Sequence, residues 1–339
     1  MTSMKGRSFL STQDWSREEL GYVLDLATKM KREGHGKPLL GKAIALLFFN
    51  PSLRTRSSFE LGMFQLGGHA VVLAPGKDAW AMEPREGVVM DGEPEEHMKE
   101  AAAVLSRFFD AIAIRCFPKF QDWEEDKKDV MLRSLVRWAK KPVINMETIV
   151  HPCQELALMQ TIRERMGEPK GRKFVLTWTW HPKGLNTAVA NSGLLISTRF
   201  GMDVTVLRPP GYDLDPMFMQ SAESNAKEAG GSLKVTDNIE EAYRGAEFVY
   251  AKSWGNLGYF GRWEEEKKVR ADLKHFIVDK AKMSLTKNAW FSHCLPMRRN
   301  IKVTDEVADS PQSLIHEEAE NRLHAQKALL ACILGEGKP

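Results

Sequence analysis

The stretch Phe49-Asn50-Pro51-Ser52-Leu53-Arg54-Thr55-Arg56-Ser57-Ser58-Phe59-Glu60 holds the densest concentration of chemistry-bearing residues in the chain. It lies between an apolar run and a segment of helical period, so Ser52 and Thr55 fall where a helix begins. Their oxygens can cap the orphan N–H groups of a first turn. Those same N–H groups bind an anion when a ligand takes the place of the cap. Arg54 and Arg56 add fixed positive charge and the bidentate geometry that suits phosphate oxygens. Taken alone, the stretch fits two readings: a phosphate site, or a capped helix with two surface arginines. A nucleotide loop is not indicated, because neither G-x-G-x-x-G nor G-x-x-x-x-G-K-[ST] occurs. Gly255-Asn256-Leu257-Gly258-Tyr259-Phe260-Gly261 is glycine-rich at the wrong spacing and reads as a mobile loop, a candidate lid.

The elements that must position these residues alternate. Strands are expected at 43–49, 69–74, 111–117 and 142–146, with helices at 57–66, 95–108 and 127–139. The pattern then restarts with a helix at 153–166, a strand at 174–179 and a helix at 186–200. Strands at 204–207, 233–236, 248–251 and 290–295 follow, with helices at 216–229 and 318–334. Such alternation predicts parallel strands joined by crossover helices. The fold class expected is α/β: two doubly wound domains with parallel sheets, joined by interdomain helices, with the active site in the cleft. The first domain covers 1–150 and is completed by the C-terminal helix at about 318–339; the second covers 151–317.

The 339 residues, 43% hydrophobic and 27% charged, describe an ordinary globular chain. A net charge of +3 with interleaved acids and bases argues against a nucleic-acid partner. The run Glu264-Glu265-Glu266-Lys267-Lys268 reads as a solvated surface segment. Cys116, Cys153, Cys294 and Cys332 form no C-x-x-C pair and read as free, mostly buried thiols, with no metal site. Residues 1–14 contain no apolar leader segment, and no run reaches the roughly 20 residues a membrane span needs. A soluble, cytoplasmic protein with no membrane partner is therefore expected.

Ser52-Leu53-Arg54-Thr55-Arg56 resembles the S-[TM]-R-T-R motif of the aspartate and ornithine carbamoyltransferase family. His151-Pro152-Cys153-Gln154 resembles its H-P-x-Q, and His293-Cys294-Leu295-Pro296 with Arg298 its H-C-L-P-x-R. The motifs occur in the family's order and the likeness spans nearly the whole chain. One departure is informative: the family's ornithine-type S-M-G loop corresponds here to Ala251-Lys252-Ser253-Trp254-Gly255, whose Lys and bulky Trp argue against free ornithine. That segment, with Ala74-Pro75-Gly76-Lys77-Asp78-Ala79-Trp80 and Asn145-Met146-Glu147-Thr148, is similar to the family's acetylornithine-type branch.

The resemblance implies carbamoyl transfer from carbamoyl phosphate to the side-chain amine of N-acetyl-L-ornithine, with no cofactor. It places Ser52, Leu53, Arg54, Thr55, Trp80, Arg115, His151, Gln154, Cys294, Leu295 and Arg322 around carbamoyl phosphate. Thr55, Arg115 and His151 would face the carbonyl oxygen. Cys294 would contact substrate; a nucleophilic thiol is the alternative, although direct transfer needs no covalent intermediate. The acceptor would meet Glu95, Glu147, Asn186, Lys252, Cys294, Leu295 and Arg298. Glu95 would repel the extra carboxylate of a succinylated substrate. Trp80 would close the site of a neighbouring subunit in a homotrimer with shared active sites. Lys302 would be carboxylated.

The plain readings stay open beside these: Arg115 as a surface strand end, Trp80 as packing, Arg322 as an i,i+4 partner of Glu318, and Lys302 as an exposed lysine. Rival functions are an ornithine or N-succinylornithine carbamoyltransferase, and a non-catalytic binder of a phosphometabolite on the same fold. A nicotinamide-dependent dehydrogenase shares the winding but would need the missing glycine fingerprint.

Overall fold

The computed structural model describes residues 3–335, so the last residues of the expected C-terminal completion lie outside the described residues. The chain divides into two compact units. Unit 1 comprises Met1–Pro118, Glu125–Leu156 and Arg322–Pro339; unit 2 comprises Lys119–Glu124 and Ala157–Asn321.

The strands are β1 (Ala43–Phe48), β2 (His69–Leu73), β3 (Met82–Glu83), β4 (Glu96–His97), β5 (Ala111–Arg115) and β6 (Val143–Glu147) in unit 1. Unit 2 holds β7 (Lys173–Trp178), β8 (Asp203–Leu207), β9 (Ser232–Thr236), β10 (Phe248–Lys252) and β11 (Trp290–Ser292). Unit 1 is built on a sheet of order β2-β1-β5-β6, and unit 2 on one of order β11-β10-β7-β8-β9. Every pairing in both is parallel.

The sequence dictates this. Strands β1 and β5 read AIALLF and AIAIR, near-continuous apolar runs. Parallel strands covered on both faces require that pattern rather than strict alternation. Ala45, Leu47, Ile112 and Ile114 form one buried cluster with Met98, Ala102 and Leu105 from the helix Met98–Phe108, and with Leu132 and Leu135 from the helix Val130–Trp138. In unit 2, Phe174 on β7 stacks on Phe248 of β10 with ring centroids 5.6 Å apart. The helix Ala188–Arg199 is buried from Ala188 to Thr198, as a helix rich in small and apolar residues all round must be.

Several element bounds depart from expectation. Residues 96–97 do not begin a helix but pair with Met82–Glu83, and the helix starts at Met98 under the His97 side chain, whose Nδ1 accepts from Lys99 N at 3.1 Å. Glu95 is thus left on an exposed loop. The expected helix at 127–139 is split into Trp123–Asp126 and Val130–Trp138. Asp129 between them sits at φ 47°, its carboxylate accepting from Thr148 Oγ1 at 2.6 Å, and burial pushes that carboxyl up to about 6. The helix Arg17–Glu33 lies outside the expected elements, although Ser16 and Glu19 form its capping box.

The run at 264–268 is not wholly solvated. Glu266 is fully buried on the helix Trp263–Arg270, ion-paired with Arg270 and accepting from Tyr212 Oη at 3.0 Å. The stretch 255–261, expected to be mobile, is held in place. Asn256 caps Gly258, Phe260 is buried against Phe120, Trp123 and Trp263, and Gly261 N donates to Phe120 O at 3.0 Å.

Candidate active site

Adjacent strands of a doubly wound sheet part company where the winding reverses, and the crevice opens at their carboxyl ends. In unit 1 that point lies between β1 and β5. Strand β1 runs out at Phe48 and the chain turns at Asn50, whose Oδ1 accepts from Phe117 N at 2.7 Å and ties the turn to the end of β5. The helix Arg54–Gln65 follows at once, three residues earlier than its apolar pattern suggested. Ser52 Oγ accepts from Thr55 N at 3.1 Å and caps its first turn. The positive end of this helix therefore faces the crevice with two hydroxyls.

Three distant segments converge on those hydroxyls. Arg322 donates to Thr55 Oγ1 at 2.9 Å and to Gln154 Oε1 at 2.6 Å. Glu318, one turn earlier, instead accepts from Tyr250 and Ser292, so the i,i+4 reading of Arg322 gives way. Burial, reinforced by the charges of Arg115 and Arg54, pulls Arg322 below the usual guanidinium range. Arg115 is buried, not a surface strand end; it pairs with Glu147, and its Nε is enclosed without a hydrogen-bond partner. His151 Nε2 lies 3.3 Å from a Glu147 carboxylate oxygen. Gln154 and Glu155 donate their backbone N–H groups to His151 O, which opens the helix Pro152–Met166. Three guanidiniums, an imidazole, two hydroxyls and a helix N-terminus thus surround one place, against the single carboxylate of Glu147. That arrangement suits a polyanion and offers donors to an oxygen that gains charge.

Unit 2 reverses its winding between β7 and β10. Strand β10 ends at Lys252, and the loop after β7 carries His181 and Asn186, whose Oδ1 accepts from Ala188 N at 3.1 Å and caps the helix Ala188–Arg199. Beyond β11 lie His293, Cys294 and Leu295, the last at φ 56°, an uncommon backbone for leucine. The expected strand to 295 stops at Ser292.

Lys302 is 2% exposed, which ends the reading of an exposed lysine. Its Nζ lies 3.4 Å from His293 Nε2. His293 Nδ1 accepts from Leu295 N at 2.8 Å, so a neutral ring carries its hydrogen on Nε2, on the side of Lys302. An uncharged lysine, or a derivative with an acceptor, can take a hydrogen bond from that side. Burial, together with the charges of Lys252 and Arg298, brings the Lys302 amine down to about 7, which agrees. Burial likewise pushes His181 down to about 4, helped by Lys302, Arg298 and Lys252. Lys252 and Arg298 therefore act on one region beside the Lys302 amine, and those two cations suit a ligand carboxylate.

The comparisons with known proteins agree with this chemistry. The family description "Aspartate/ornithine carbamoyltransferase, carbamoyl-P binding domain" matches residues 7–164, and the "Asp/Orn binding domain" of the same family matches residues 170–333. The chain belongs to the aspartate/ornithine carbamoyltransferase family. Among relatives within this carbamoyltransferase family, the N-acetylornithine carbamoyltransferase of Xanthomonas campestris pv. campestris is 58% identical, covering 99% of this chain and 100% of that one. The ornithine carbamoyltransferase of Thermococcus kodakarensis is 39% identical over 99% of this chain and 98% of its own. A solved acetylornithine transcarbamylase complexed with acetylcitrulline superposes with a TM-score of 0.96 at 58% identity, covering 97% of this chain and 100% of that one. An N-acetyl-L-ornithine transcarbamylase with a Glu-to-Pro substitution, solved with carbamyl phosphate and N-succinyl-L-norvaline, superposes equally well at 57% identity.

Set beside the family motifs, unit 1 brings together Ser52, Arg54, Thr55, Arg115, His151, Gln154 and Arg322. Glu147, expected with the acceptor, sits among the phosphate-side groups. Trp80 is 62% exposed, and Glu95 and Leu53 are exposed with it. Unit 2 brings Lys252, Cys294 and Arg298 around Lys302, with Leu295 tied to His293 and Asn186 on the loop after β7. Trp254 does not project as a bulky loop residue: it is buried, with Nε1 donating to Tyr212 O at 2.9 Å. Sequence reasoning missed His181 and His293 as working groups. His293 stood inside the quoted H-C-L-P motif, while His181-Pro182 carries no periodic or spacing signal.

Proposed function

We propose that this protein transfers the carbamoyl group of carbamoyl phosphate to the side-chain amine of N-acetyl-L-ornithine, giving N-acetyl-L-citrulline and phosphate in arginine biosynthesis. The observation that carries the reading is the meeting of Arg322 with both Thr55 and Gln154, which joins three distant motifs at one anion site.

In this reading the capped helix start at Ser52–Thr55, with Arg54 and Arg322, holds the phosphoryl oxygens. Thr55 Oγ1 accepts from Arg322, which leaves its own O–H to donate. Thr55, Arg115 and His151 then face the carbonyl oxygen, where negative charge builds as the amine nitrogen attacks the carbonyl carbon. The new C–N bond forms, the C–O bond to phosphate breaks, and the amine proton leaves with the phosphate. The Gln154 side chain and the backbone carbonyls of Cys294 and Leu295 accept from the carbamoyl NH2. Cys294 contacts substrate without forming a bond to it.

Lys252, Arg298 and Asn186 hold the carboxylate and amide of the acceptor. Lys302 in its uncharged form adds to carbon dioxide, losing a proton to give a carbamate that accepts from His293. Glu95 excludes a succinyl carboxylate by like charge. The chain assembles as a homotrimer in which Trp80 and Glu95 serve a neighbouring site. Leu53, Leu61 and Phe64 support that assembly, since they are 73%, 44% and 75% exposed along one side of the helix Arg54–Gln65. Among the described residues no helix is long and apolar enough to cross a membrane.

The test supplies carbamoyl phosphate with ornithine, N-acetyl-L-ornithine and N-succinyl-L-ornithine in parallel and measures ureido product. Turnover should be confined largely to the acetylated acceptor. Preference for free ornithine would replace the acceptor assignment. Binding of carbamoyl phosphate without any product would leave only a phosphometabolite binder.

A further inference from the structure

The helix Trp263–Arg270 carries none of the groups assigned above, yet both of its ends grip loops that do. At its far end, Arg270 donates to Pro182 O at 3.2 Å and its own carbonyl accepts from Trp180 Nε1 at 2.8 Å. These contacts bracket His181. At its near end, the Trp263 ring lies against two glycines, one in each acceptor loop. A Cβ on Gly184 would stand 2.2 Å from Trp263 Cζ3, and a Cβ on Gly255 would stand 2.9 Å from Trp263 Cη2. Contacts that short do not occur, so only glycine fits at either place. Neither glycine is in the positive-φ region, so the requirement is space and not backbone conformation.

The ring has little room to yield. Its Nε1 donates to Phe120 O at 2.9 Å, and it packs on Phe260 and Phe120 with centroids 5.1 Å and 6.4 Å away. The two loops are also joined directly, Gly255 N donating to Leu185 O at 2.9 Å. Beneath them the helix is anchored by the buried Glu266–Arg270 pair and by Tyr212. A rigid plate laid across two glycines fixes how closely their loops approach.

We propose that Trp263 is a positioning residue for the acceptor substrate: pressed against Gly184 and Gly255, it sets the spacing between the loop that carries His181 and Asn186 and the loop that begins at Lys252. The inference rests on the carbamoyltransferase reading and goes beyond it by giving a structural tryptophan control over acceptor geometry.

The experiment compares wild type, Gly184→Ala, Trp263→Phe and the double variant, with Gly255→Ala as a second probe of the same contact. Each is assayed for KM of both substrates and for kcat. Gly184→Ala should raise the acceptor KM by about tenfold or more, since small misplacements of binding groups are costly, and leave the carbamoyl phosphate KM near wild type. Trp263→Phe removes the ring atoms that the new methyl meets, so the double variant should recover much of the loss. Equal losses on both substrates, or a double variant worse than the sum of its parts, would overturn the proposal. So would an acceptor KM unmoved in both Gly184→Ala and Gly255→Ala. If wild type turned over ornithine in place of the acetylated substrate, the acceptor assignment would fail, while the same split would still be read with ornithine.

Discussion

Lys302 is the residue at which sequence and structure say most different things. In the chain it is one lysine in a basic stretch. In the fold it is buried, with its Nζ 3.4 Å from Nε2 of the His293 imidazole. Its amine is brought down to about 7 from an ordinary 10.5. The sign follows: above about 7 the folded protein holds a neutral amine able to take up carbon dioxide, and below it the amine is protonated and cannot. A carbamate carbon seen by NMR after labelling with 13C-bicarbonate should fade as the pH drops through about 7, and should be missing from Lys302→Arg at every pH. The same shift bears on stability. Between about 7 and 10.5 the unfolded chain binds a proton that the folded one does not, so this residue's contribution to stability increases with pH across that window. At Glu147 the expectation is different: Glu147→Ala should lower kcat more than it changes either KM, because the carboxylate orients Arg115 and His151.

At the level of elements, the strands were the most legible feature, and the reason is physical. Strands β1, β5, β7 and β10 are buried on both faces, so burial wrote itself into unbroken apolar runs. Helix ends were read less well. The helix Arg54–Gln65 starts with Arg-Thr-Arg, residues without apolar periodicity, because its first turn lies at the proposed phosphate site. The helix Trp263–Arg270 was read as a charged surface segment because four of its charges are exposed and only Glu266 and Arg270 turn inward, a one-in-four spacing that composition hides. Removing one partner of a buried pair strands the other. Glu266→Ala should therefore destabilise the protein by about 3–5 kcal/mol in urea unfolding, while Glu264→Ala, on the solvent side, should leave the midpoint unchanged. Ser52→Ala should cost about 1 kcal/mol through the lost cap and should also weaken the donor substrate.

For the whole molecule, two successive windings in the sequence became two sheets of separate topology, each with the candidate site residues near its reversal point. The proposed phosphate-side residues stand out in the sequence because their motif is compact and joined to a strand end. The proposed acceptor side stands out only in part. Lys252 and Arg298 stood in recognisable motifs, whereas His181 and the Gly184–Trp263–Gly255 contact arise from loops that meet only after folding. The proposed trimer makes a prediction at this scale. Phe64→Glu, which places charge on the exposed apolar side of the helix Arg54–Gln65, should reduce the mass seen by light scattering from three chains to one, with loss of activity. An unchanged mass would remove that surface from the interface.

The claim on which the account turns is that the Ser52–Arg56 loop and Arg322 capture the phosphate of the donor. The most direct measurement is kcat/KM for carbamoyl phosphate in Arg54→Ala, with N-acetyl-L-ornithine saturating and ureido product as the readout. Loss of a charge-assisted bond to phosphate predicts a fall of roughly ten- to a hundredfold, with the KM for the acceptor little changed. A value of kcat/KM equal to wild type would contradict the account.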